Sequence, residues 1–248
     1  MALDVKKILV AGAAMLAGLV YASEADRHLA AALQDMQSIA TLIQENEVGR
    51  QADRASAIAE LPMLMKRLRG QLAQAEALGH PVAVYWTFYW DVPMGVPGSG
   101  QCQRLSDASA QGLLAASVLY LRRCTSYFSG PGSGMTDEAT AALLTRMEVQ
   151  LQAVADPYVQ YYPLAFRAPG CGYADTLMQV ARMSYQDFRG EGYYLLALAT
   201  MKNAGESLES ALRVMEHMKR SRALGCDNPM VERWHSMSRD ELQDAFPE

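Results

Sequence analysis

The chain has 248 residues, half of them hydrophobic, with 22 basic against 27 acidic side chains and a formal net charge of −5. That length suits one large or two small domains with a substantial core. A mildly acidic chain without a Lys/Arg stripe carries no electrostatic footprint for phosphate backbones, so nucleic acid is not expected as a partner.

Residues 1–22 read as a secretory signal. Lys6 and Lys7 form a basic flank, Ile8 to Tyr21 carries no charge, and small residues around Ala22 and Ser23 offer a cleavage point. The apolar run is shorter than the roughly 20 residues a spanning helix needs, and Gly12 and Gly18 interrupt it. The expectation is cleavage after Ala22 and a periplasmic or secreted protein. An uncleaved run would instead tether a helical scaffold to a membrane.

Residues 23–80 read as a helical hairpin. Leu29, Leu33, Met36, Ala40 and Ile43 lay one apolar stripe along a helix over about 25–46, and Ile58, Leu61, Met65, Leu68, Leu72 and Ala75 lay a second. A short polar turn between two such helices predicts antiparallel packing, stripe on stripe. Pro62 inside the second stripe predicts a kink or a new first turn, and Gly79 with Pro81 ends it.

Residues 81–248 read as a disulfide-pinned helical region continuous with the hairpin. The stretch 82–102 is aromatic and β-branched, then rich in Gly and Pro, which suggests an extended insertion. A helix is expected from Ser106 to Cys124, with Leu113, Ala116, Tyr120 and Cys124 on one face. Another, capped by Thr136, carries Leu144, Met147, Leu151 and Val154. After a second proline- and aromatic-rich interruption, helices are expected over 173–188 and 193–203, and a third is capped by Ser207. Pro229 suits a first helical turn, and Ser238 with Glu241 forms a capping box. Tyr194 to Ala223 resembles a tetratricopeptide helix pair at Leu198, Ala199, Ala211 and Met215. It departs at Lys202, where that family has an aromatic, and no second copy follows at a fixed period, so no family is identified.

The fold class is therefore all-α: antiparallel helical hairpins or a bundle with aromatic-rich irregular insertions, which would leave room for one short two-stranded element. All four cysteines follow the leader, and an even number in an oxidising compartment points to two disulfides. With helices alternating up and down, Cys102 and Cys124 fall at opposite ends of one rod, so Cys102 is expected to pair with Cys171 and Cys124 with Cys226.

No H-E-x-x-H, G-x-S-x-G or phosphate-loop signature is present, and no catalytic residue, metal or cofactor is assigned. His28, His80, His217 and His235 are scattered and read as structural or solvated. Met215-Glu-His-Met218 has donor types suited to Cu(I), but Met215 and Met218 continue an apolar helical stripe and read as core. Two aromatic runs stand out: Tyr85, Trp86, Tyr89 and Trp90 with Phe88, and Tyr158, Tyr161 and Tyr162 with Phe166. Such rings either fill a core or form a recognition surface. The functional expectation is an exported, non-enzymatic interaction protein of the inhibitor, immunity or adaptor kind that binds a protein or peptide. The alternatives are a hydrolase with a non-local site, for instance His80 beside a carboxylate, and the membrane-tethered scaffold.

Overall fold

The computed structural model describes residues 23–48, 51–91, 97–125, 137–153, 156–161, 185–203, 207–226 and 228–245. The protein is all-α: ten α-helices and one 3-10 turn, with no strand among the described residues. The chain divides into two compact units, Met1–Ala83 and Val84–Glu248.

The first unit is the expected hairpin of α1 (Glu24–Val48) and α2 (Gln51–Ala77). Ser23 starts α1: its hydroxyl accepts from the Asp26 N–H at 3.1 Å, while the Asp26 carboxylate accepts from the Ser23 N–H at 2.9 Å. The pairs Asp26–His80, His28–Gln71 and Asp35–Arg67 run in opposite directions along the two helices, so the packing is antiparallel. Leu29 and Met36 are buried as the stripe predicts, but Ala25, Ala32 and Ile39 complete the seam rather than Leu33 and Ala40. The small alanines let the two backbones approach. Asp35 lies buried in this seam and accepts from Arg67 Nε through both carboxylate oxygens at 2.9 Å, with Arg67 Nη2 adding a further bond. A forked donor of this kind is what makes a carboxylate tolerable there. α2 runs unbroken through the exposed Pro62.

Gly79 closes α2 with φ of 81°, a conformation only glycine adopts freely, and the His80 N–H returns to the Ala75 carbonyl at 3.0 Å. The expected extended aromatic stretch is instead helix α3 (Pro81–Asp91). Pro81 occupies the first helical position, where its missing N–H costs nothing. His80 Nδ1 accepts from the Val82 N–H at 3.2 Å and satisfies another of the helix's orphan donors. The run is apolar on every side, which hides helical period from a sequence reading.

The second unit corrects the disulfide expectation. The rod expected over 106–124 is two helices, α4 (Ser99–Ala110) and α5 (Leu114–Cys124), folded back on each other. Gly112, at φ of 101°, makes the reversal, and the Leu113 N–H bonds the Ala108 carbonyl at 3.4 Å. Cys102 and Cys124 therefore end at the same end of a hairpin, not at opposite ends of a rod. They form a disulfide with a Cα separation of 5.7 Å. The expected Cys102–Cys171 and Cys124–Cys226 pairings do not hold. Cys226 is itself disulfide-bonded; Cys171 lies outside the described residues.

Helix α6 (Asp137–Gln152) packs on α5 through a polar seam. Ser117 donates to Gln150 Oε1 at 2.6 Å, Gln150 Nε2 donates to the Ser109 carbonyl at 2.8 Å, and the two serine hydroxyls lie 2.7 Å apart. The Asp156 carboxylate beyond α6 caps α5 by accepting from the Leu114 N–H at 3.2 Å.

Residues 173–184 of the first helix expected in the last third lie outside the described residues; from Tyr185 the chain is one helix, α7 (Tyr185–Asn203), which runs through Gly190 and Gly192 and includes the helix expected over 193–203. These two glycines set how closely its neighbours approach. A Cβ on Gly192 would lie 2.9 Å from Leu151 of α6. One on Gly190 would lie 3.3 Å from the Leu224 carbonyl at the end of α8 (Leu208–Ala223). Between them Glu191, with a side chain 0 % exposed, pairs with Arg122 of α5, whose Nε donates to Glu191 Oε1 at 2.6 Å. Helix α8 is capped by Ser207, whose hydroxyl accepts from the Ser210 N–H at 3.2 Å. Two short helices, α9 (Pro229–Ser236) and α10 (Arg239–Ala245), pack against α8. The Ser238–Glu241 capping box forms as expected.

Gly192→Ala should lower the unfolding free energy by about 1–3 kcal/mol, because overpacking against Leu151 outweighs the helix propensity that alanine adds. Gly70→Ala, where an added Cβ meets nothing within 4 Å, should instead stabilise by up to about 1 kcal/mol. Urea unfolding of both variants checks this; a neutral or stabilising Gly192→Ala would contradict the packing.

Candidate functional site

The three helices α6, α7 and α8 enclose an open groove of about 210 Å³ within the second unit. Its apolar lining is Leu144 of α6 with Leu196 and Ala199 of α7. Its polar lining is Thr145 and Glu148 of α6, Thr200 of α7, and Arg213 and His217 of α8. The spacing explains the arrangement: Thr145 and Glu148 are three apart and Arg213 and His217 four apart, so each pair shares a helix face.

The polar groups differ in what they still offer. Thr145 Oγ1 donates to the Ala141 carbonyl at 3.1 Å, and Thr200 Oγ1 donates to the Leu196 carbonyl at 2.9 Å. Each hydroxyl has thus spent its proton on its own helix and keeps acceptor lone pairs. Glu148 and Arg213 form no hydrogen bond or ion pair among the described residues, with each other or elsewhere. His217 stacks on Tyr193, with ring centroids 6.0 Å apart and planes at 28°, and Arg220 covers the same tyrosine ring at 5.5 Å. The His217 Nδ1 is buried with no hydrogen-bond partner among the described residues, and the ring lines the groove. Burial pushes the His217 pKa below its ordinary 6.5; Glu148 opposes this, while Arg220 and Arg213 reinforce it. Helix α6 therefore brings a carboxylate, and helix α8 a guanidinium and an imidazole, to one groove.

The histidine named in the hydrolytic alternative does stand beside a carboxylate. His80 Nε2 lies 3.2 Å from Asp26 Oδ1, but its Nδ1 is already occupied by the Val82 N–H. With both nitrogens engaged, the ring has no lone pair to offer a substrate proton. Burial lowers the His80 pKa, and the Asp26 charge works against that shift. His28 Nδ1 meets Gln71 Oε1 at 2.7 Å, and His235 is exposed.

The aromatic candidates separate by burial. Tyr85 and Trp86 are 8 % and 2 % exposed, and Phe88 is buried with them. Tyr85 meets Trp86 edge-on at 5.2 Å and Phe188 of α7 at 6.3 Å, and burial raises its pKa. Those rings are packing in this structure. Tyr89, Tyr158 and Tyr161 are half-buried, the last ending the 3-10 turn Val159–Tyr161. The Trp90 side chain and Tyr162 lie outside the described residues. Met215 and Met218 are buried in α8, as the stripe predicts. Among the described residues, no cluster of three or more His, Cys, Asp or Glu is placed to hold a metal ion, and no helix is long and apolar enough to cross a membrane.

Neither a protein-family model, a curated protein nor a solved structure matches this chain. The groove must be read from its own chemistry. Of its polar residues, only His217 draws attention in the sequence, and there as a candidate metal ligand. Glu148, Arg213, Thr145 and Thr200 lie on helices distant in sequence and carry no local signature.

Both depressed histidines make a signed prediction. Above pH 6.5 they are neutral in the folded and the unfolded chain. Below it the unfolded chain takes up protons first, so stability falls as the pH drops toward the folded-state values. Urea midpoints measured on either side of 6.5 should show this loss, and His217→Asn should make it shallower; an equally steep loss in that variant would contradict the assignment.

Proposed function

We propose that this chain is an exported, non-enzymatic interaction protein, of the inhibitor, immunity or adaptor kind, that binds a protein or peptide partner. One contrast carries the reading. In the scaffold, the buried charged groups Asp35, Glu191 and His80 are engaged by Arg67, Arg122 and Asp26. In the groove, beside the apolar Leu144, Leu196 and Ala199, Glu148 and Arg213 form no hydrogen bond or ion pair among the described residues, and the buried His217 Nδ1 has no hydrogen-bond partner among them. A partner that seats an apolar side chain there and completes those hydrogen bonds gains about 1.5–3 kcal/mol for each bond to a charged group. The half-buried Tyr89, Tyr158 and Tyr161 would add contact area wherever the partner reaches them. Export is supported by the leader and by disulfides that persist in oxidising compartments.

The test uses the exported chain with a photo-crosslinking residue at Thr145. Amino-terminal sequencing should begin at Ser23, and illumination should give one discrete protein adduct. Glu148→Arg, which reverses charge on one wall, should cut its yield about 10-fold or more with helical content unchanged. A chain retaining Met1 would contradict export, and a hydrolytic turnover abolished by His217→Asn would contradict the non-enzymatic reading.

A further inference from the structure

The groove's two walls are specific about what they accept. The groove lining holds three acceptors: the Glu148 carboxylate and Thr145 lone pairs of α6 and the Thr200 lone pairs of α7, both threonine protons being already donated within their helices. Three acceptors match the three N–H donors of a primary ammonium. Helix α8 brings the Arg213 guanidinium, a donor, and His217, whose Nε2 donates in the tautomer that leaves Nδ1 unprotonated; in that tautomer both suit a carbonyl oxygen. Between them Leu144, Leu196 and Ala199 form a floor that suits an apolar side chain. The volume of about 210 Å³ is below the roughly 300–1,000 Å³ typical of sites for drug-sized ligands. It suits one residue rather than a long segment.

An ammonium, an apolar side chain and a carbonyl in that order are the parts of one chemical object. We infer that the groove captures the free amino-terminal residue of a peptide or protein partner, and that this residue is apolar. The α-ammonium sits against Glu148, Thr145 and Thr200. The side chain lies on Leu144, Leu196 and Ala199, and the first peptide carbonyl accepts from Arg213 and His217. Glu148 and Arg213 are left unpaired in the free chain because the ligand bridges them. An internal peptide segment has no α-ammonium, and a lysine side chain brings an ammonium without an apolar side chain and a carbonyl next to it. The inference rests on the interaction-protein reading and names the part of the partner that is recognised.

The experiment is a calorimetric titration of the exported chain with the amidated tripeptide Leu-Gly-Gly and its N-acetyl form. The free tripeptide should bind, and acetylation should weaken it about 10-fold or more, since it removes the charge and two of the three donors. Asp-Gly-Gly amide should be similarly weakened, having no apolar side chain for the floor and adding a carboxylate near Glu148. In Glu148→Gln the free peptide should lose most of its advantage over the acetylated one, which a general loss of fold would not produce. Equal binding of the free and acetylated peptides overturns the inference while leaving a peptide-binding groove. Free leucine binding as tightly as the tripeptide overturns the peptide assignment. Binding of neither peptide at about 10 mM also overturns it, and the Thr145 crosslink then decides separately whether a protein partner uses the groove.

Discussion

A carboxylate with no exposed surface lies near the middle of the second unit, and the arrangement of its helices depends on how that charge is held. Glu191 on α7 is paired with Arg122 on α5. Burying the two ions costs several kcal/mol each, recovered only when their geometry is good, and removing one partner typically costs about 3–5 kcal/mol. Against a total stability of about 5–15 kcal/mol, a cost of that size is large, and the pair joins α7 to α5. The flanking glycines then let α6 and α8 close against α7, Leu151 over Gly192 and Leu224 over Gly190.

Arg122 is itself placed by covalent chemistry. It lies two residues before Cys124, whose disulfide to Cys102 ties the end of α5 to the start of α4. The order of constraint runs from that hairpin to the guanidinium, then to the carboxylate, and so to the orientation of α7. Leu196 and Ala199 of the same helix line the groove. The ion pair thus shares helix α7 with the groove, although neither Arg122 nor Glu191 lines it.

The long hairpin is legible in the sequence because its stripes repeat over many turns and its seam is half apolar, half solvated. Leu29, Met36, Leu68 and Leu72 are buried where that period places them. The caps at Ser207 and Ser238 are legible for a different reason, since a hydroxyl or carboxylate at a helix start has a fixed local task. What failed was short-range punctuation amid uniform burial. In α3 apolar residues surround the axis, and without a polar face aromatic and β-branched composition mimics a strand. The apolar pattern from Ser106 to Cys124 reads as one helix, but Gly112 at positive φ turns the chain back and reverses the disulfide logic. The break expected between helices at 189–192 is continuous helix, with Gly190 and Gly192 as points of close approach.

The candidate site was almost illegible beforehand. Its charged members are ordinary helix-surface residue types, and what sets Glu148 and Arg213 apart is that they stay unpaired on opposite walls, which only the fold reveals. The aromatic runs drew attention by composition, while Tyr85 and Trp86 turned inward.

The most direct measurement is urea unfolding of Arg122→Met, alone and combined with Glu191→Leu. If the buried pair organises the second unit, the single change should cost about 3–5 kcal/mol by removing the guanidinium that compensates the buried Glu191 charge. Removing that carboxylate as well should then recover part of the loss. A single-variant loss below about 1 kcal/mol, or a double variant no more stable than the single, would contradict the account.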